Sequence, residues 1–102
     1  MGKELRLSSQ KFNPEAALQF VQRRFYVVPH NVSEEGLWLF IKQSDSVSLN
    51  GSTAWPPVFL SVKSDGFYFC DNLLPGADSA LIFKALCEFM LTTNGEISVV
   101  EI

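Results

Sequence analysis

The sequence predicts an α+β fold: a two-layer sandwich in which two helices pack on one face of about five mostly antiparallel strands, in the order β-α-β-β-β-α-β. Three observations predict it. Two stretches place apolar residues at helical spacing behind a capping signal. The segments around them are short apolar runs, alternating or continuous, that suit strands. The chain has 102 residues, 47% of them hydrophobic, which makes one domain, 1–102, with a core of its own.

"KELRLSS" opens the chain as a half-buried strand, Leu5 and Leu7 alternating with Glu4, Arg6 and Ser8. "FNPEAALQFVQRRF" starts a helix with Asn13 as N-cap, Pro14 at the first helical position and Glu15 in the first turn, where its charge suits the helix dipole. Ala17, Leu18, Val21 and Phe25 form its apolar stripe. The β-branched "VVP" then ends the helix, which Pro29 stops. "HNVSEEG" is a polar connection and "LWLFIK" a continuously apolar central strand. Residues 43–57, "QSDSVSLNGSTAWPP", read as a long polar loop, with a small hairpin at Asn50-Gly51 as the alternative.

"WPPVFLSVKSDGFYFCDNL" reads as a β-hairpin. A two-residue turn at Asp65-Gly66 pairs Val62 with Phe69, Leu60 with Asp71 and Val58 with Leu73. One face then carries Val58, Leu60, Val62, Phe67, Phe69 and Leu73, with Asp71 alone among them. Either the strand stops there and the carboxylate binds nearby backbone amides, or Asp71 faces a partner. The second helix is capped at Asp78 or Ser79 and ended at Asn94-Gly95. Leu81, Ile82, Ala85, Leu86 and Phe89 are expected on the sheet, and Phe83, Cys87, Met90 and Leu91 against the first helix or a partner. "EISVVEI" completes the sheet.

Charge and inventory narrow the function. The net charge is −3, unevenly spread. Residues 1–30 carry Lys3, Arg6, Lys11, Arg23 and Arg24 against two acids, whereas residues 31–102 carry three lysines against nine acids. That balance argues against binding a phosphate backbone, so no nucleic-acid partner is expected. No apolar run reaches the length of a membrane span, and "MGKELRLSSQ" lacks the apolar region of a secretory signal. Arg6 stands where a myristoylation motif wants Ser or Thr. A cytoplasmic protein is therefore expected, its two cysteines, Cys70 and Cys87, free and buried. The glycosylation patterns at Asn31 and Asn50 are then fortuitous. Two cysteines and one histidine, His30, make neither a zinc site nor a nucleophile–base pair, and no phosphate-cradling glycine loop is present. No enzyme activity, metal or cofactor is expected.

In size, acidity, α+β content and lack of catalytic motifs the chain resembles the small bacterial immunity proteins that neutralise toxins. The resemblance implies a one-to-one complex with a basic toxin domain. Glu34, Glu35, Asp45 and Asp71 would then supply carboxylates, and Trp55 an aromatic anchor. Two alternatives stay open: a structural or regulatory subunit that homodimerises, and a small-ligand-binding domain. Unused apolar surface on the second helix or a bare sheet edge favours self-association; around Trp55 it favours a different partner.

Overall fold

The computed structural model describes residues 2–29, 36–41 and 56–102. The described residues form an α+β sandwich of a six-stranded antiparallel sheet and two helices. The elements are β1 (Lys3–Ser8), α1 (Pro14–Arg24), β2 (Tyr26–Pro29), β3 (Gly36–Phe40), β4 (Val58–Val62), β5 (Gly66–Asp71), α2 (Asp78–Asn94) and β6 (Ser98–Glu101). The strand order is β2-β3-β4-β5-β1-β6, so β2 and β6 are the two edges. Every neighbouring pair is antiparallel.

One face of the sheet carries Leu5 and Leu7, Val27, Leu37 and Leu39, Val58, Leu60 and Val62, and Phe67 and Phe69. The register sets these side by side across the strands. Leu7, Leu39, Val58, Leu60, Phe67 and Phe69 meet Ala17 and Val21 of α1, Phe25 just beyond it, and Ile82, Leu86 and Met90 of α2 in one buried cluster. Both helices thus cover the same face, as alternation along the strands requires. Burying each large side chain contributes about 1.5–3 kcal/mol, so this cluster dominates the stability.

The first helix forms as its cap signal dictates. Asn13 Oδ1 accepts from the amides of Glu15 and Ala16 at 3.0 and 3.2 Å, and Pro14 follows. Beyond it the chain differs from expectation. "YVVP" does more than end the helix: it is the edge strand β2, entered directly because Phe25 is already extended. Tyr26 and Val28 direct their backbone groups to β3, which leaves Pro29 at an outward position where a missing N–H costs nothing.

The β4–β5 hairpin keeps its predicted faces as far as Asp71 in a different register, whereas Leu73, expected on the core face, lies beyond β5 and is 63% exposed. Val62 pairs with Phe67, Leu60 with Phe69 and Val58 with Asp71. The amide of Lys63 donates to the carbonyl of Gly66 at 2.7 Å, so the turn residues are Ser64 and Asp65 rather than Asp65 and Gly66. The register moves by two residues, and a shift of two leaves every side chain on its original face.

On α2 the inward stripe is Ile82, Leu86 and Met90. Leu81, expected on the sheet, is 52% exposed, and Met90 takes the inward place. The N-cap is Ala77, without a side-chain bond, so neither Asp78 nor Ser79 caps the helix. Gly95 closes it in the left-handed region, φ 78°, its amide donating to Leu91. Phe83 packs edge-on against Phe69, and Phe89 stacks on Phe20 of α1.

Candidate functional site

Glu34, Glu35, Asp45 and Trp55 lie outside the described residues, as do His30, Asn31, Asn50 and most of the 43–57 loop. Asp71 is described. It ends β5 between Lys3 of β1 and Val58 of β4, half-buried on the helix-side face. Its Oδ1 accepts the amide of Leu73 at 2.8 Å. Leu73 sits in the left-handed region at φ 57°, which is costly for a residue with a Cβ, and the carboxylate holds the turn that puts it there. Next to it, Asn72 ties β5 to the start of β4: its amide donates to Pro57 and its Nδ2 to Pro56, at 3.0 and 2.8 Å. The strand-ending role foreseen for Asp71 is therefore built into the chain.

The face of the sheet opposite the helices carries Glu4, Tyr68 and Cys70 together. The Tyr68 hydroxyl donates to Glu4 Oε1. Burial, and then the Glu4 carboxylate, push the Tyr68 phenol well above its usual range. Burial likewise raises the Cys70 thiol, which lies 3.6 Å from Asn72 Oδ1, and burial alone raises Cys87. Both cysteines are free thiols. Each shift favours the protonated form, opposite to the activation that a nucleophilic thiolate or phenolate needs.

A polar cleft of about 480 Å³ opens where the end of β1, the β4–β5 turn and the start of β6 converge. Ser8, Ser9, Gln10, Asp65, Glu96 and Ser98 line it, together with the apolar Ile97. The Gln10 amide points at Glu96 Oε1, 3.4 Å away, and the Ser9 amide donates to the Asp65 carbonyl at 2.9 Å. Ser9 is only 8% exposed, and its hydroxyl has no partner among the described residues. Two carboxylates beside three hydroxyls suit a cationic group. Among the described residues, no three His, Cys, Asp or Glu side chains gather in a way that could hold a metal ion. No helix among them is long and apolar enough to cross a membrane.

β6, the strand expected to complete the sheet, is one of its two edges. All four of its residues are exposed, Val99 by 45% and Val100 by 55%. The Ile102 amide donates to Glu4 at 3.0 Å, and the pairing continues through Val100–Arg6 and Ser98–Ser8. The backbone groups of Val99 and Glu101 therefore point away from β1, to the open edge. Sequence reading found the strand; that it would be an edge depends on strand order, which no local pattern encodes. Compared with protein-family models, with curated proteins and with solved structures, the chain matches none.

Proposed function

We propose that this chain is a non-catalytic protein-binding module, a structural or regulatory subunit that homodimerises by pairing β6 with β6 of a second copy. One observation carries the reading: the two edges of the sheet are treated differently. β2 ends in Pro29, which cannot donate to an added strand, whereas β6 reads "SVVE", with neither proline nor lysine to repel one. A second copy suits the edge because antiparallel pairing about Val99 is self-complementary. Val99 lies opposite Val99 of the second copy, and Ile97 and Glu101 face each other on either side. Leu81 and Leu91, exposed on α2, place further apolar surface outside the core. The raised thiols and phenol support the non-catalytic part.

A second reading is an immunity protein that neutralises a toxin. The net charge of −3 and the carboxylates of Asp65 and Glu96 in the polar cleft favour a basic partner. Light scattering from about 10 µM to 1 mM separates the two, because self-association must follow mass action. A mass rising from monomer to dimer, and abolished by Val99→Pro, is the expected result. A monomer throughout this range overturns the homodimer and moves the weight to a different, basic partner.

A further inference from the structure

The groove between α1 and α2 has a chemistry that the sheet edge does not share. Phe20 and Phe89 stack across it with ring centroids 4.4 Å apart and planes 19° from parallel. Both rings are only half-buried, so they give the groove an apolar floor that stays open to solvent. A hollow of about 340 Å³ lies on one side, lined by Ala16, Gln19, Phe20, Arg23, Arg24 and Phe89. A second, of about 330 Å³, lies on the other side, where Ala85, Thr92 and Thr93 join the same rings and Arg24.

Two cations, Arg23 and Arg24, stand at the rim. Arg23 reaches only the neutral Gln19 Oε1, at 3.4 Å, and Arg24 lies 5.4 Å from the centre of the Phe25 ring. Neither makes an ion pair among the described residues. Glu88, which also borders the second hollow, has Lys84 4.0 Å away. A basic pair in the last turn suits the helix dipole, but the dipole does not account for an apolar floor beneath it. Guanidinium groups beside half-buried rings fit a ligand that is anionic at one end and aromatic at the other.

We propose that this groove docks a short acidic segment of another protein, with an aromatic side chain on the Phe20–Phe89 pair and carboxylates on Arg23 and Arg24. Charge complementarity selects this occupant. Arg23-Arg24 is the one adjacent basic pair in the sequence, and residues 31–102 are strongly acidic. An acidic segment is therefore repelled from most of the chain and steered to this end of α1.

The test is a titration of the ¹⁵N-labelled protein with an acetylated, amidated pentapeptide of two Asp and two Glu around a central Phe. Localised shifts in the amides of Phe20, Arg23, Arg24 and Phe89 are expected, with half-saturation on the order of 100 µM at low salt, weakening as salt is raised. The same peptide with Ala for Phe should bind about tenfold more weakly. Arg23→Gln with Arg24→Gln, which keeps strong helix formers, should also weaken binding about tenfold while leaving the thermal midpoint nearly unchanged. Val99→Pro should leave the titration as it is. No shift in these amides up to about 5 mM peptide overturns the proposal, as does equal binding of the Ala peptide. Both of those results use the unmodified protein, so the proposal stays testable even if the double variant folds poorly.

Discussion

Gly66 of β5 lies so close to Leu7 of β1 that a Cβ on it would come 1.7 Å from the Leu7 carbonyl oxygen and 2.7 Å from its carbon. Ser8, its pairing partner, is also in the way, with Cα at 2.8 Å. All three obstacles are backbone, so no side-chain rotation relieves them. Gly66→Ala should force the strands apart and destabilise the protein by about 2–4 kcal/mol, read from urea unfolding. If the glycine served only chain flexibility, alanine would be neutral or stabilising, and that result would refute the close-approach account.

The same residue explains where sequence reading stopped. Asp65-Gly66 is a strong local turn signal, but the glycine is required by β1, some sixty residues earlier in the chain. The turn falls on Ser64 and Asp65, both at negative φ, since Leu73 is the only non-glycine residue at positive φ among the described residues. Faces survived the error because alternation has period two; register did not. The Asn13 cap, the stripe of α1 and the Gly95 stop were legible because each is a local interaction. β2 was not, because its four residues follow a helix without a loop, and proline beside β-branched residues reads equally as a helix stop. Of the candidate site, Asp71 was legible as an anomaly in its strand. The open edge of β6 and the Phe20–Phe89 groove follow from strand order and helix packing, which local patterns do not carry.

Asp71 and Leu73 make separable predictions. Asp71→Ala removes the acceptor for the Leu73 amide and should cost about 1 kcal/mol. Asp71→Asn keeps an acceptor oxygen and should be nearly neutral. Leu73→Gly relieves a left-handed residue whose side chain is 63% exposed, and should stabilise by up to about 1 kcal/mol. Chemical denaturation of the three variants checks this. If Asn costs as much as Ala, the charge of Asp71 matters more than its hydrogen bond, and the turn-holding role fails.

Cys70, Cys87 and Tyr68 all have their protonated forms favoured by the fold, from ordinary values of 9.0 for the thiols and 10.0 for the phenol. Above pH 9 the unfolded chain releases thiol protons that the folded chain retains, and above pH 10 the phenol adds to this. Their contribution is thus complete below pH 9 and lost as pH rises through the folded values. Urea midpoints should fall between pH 9 and pH 11, and Tyr68→Phe should flatten the upper part of that fall. At pH 8 a disulfide reagent should modify both thiols slowly in the folded protein and rapidly in denaturant. Equal rates in the two states would show that burial does not protect them.

Val99 and Val100 are neighbours on β6 with similar exposure, so an account based on surface area alone gives their substitutions similar effects. The ladder does not. Val100 pairs with Arg6, and its backbone groups belong to the β1–β6 ladder, whereas those of Val99 face the open edge. Proline at 100 removes an internal hydrogen bond and places a ring against β1, which should cost about 3 kcal/mol or more and lower the thermal midpoint. Proline at 99 removes only an outward donor, the one disruption that an edge strand tolerates, so the fold should persist and β6–β6 association should disappear. Thermal unfolding and light scattering on the two variants give a two-by-two outcome. Loss of stability at 100 with loss of dimer at 99 supports strand pairing at this edge. If the dimer survives Val99→Pro, association runs through another surface, and the exposed Leu81 and Leu91 on α2 become the positions to substitute next.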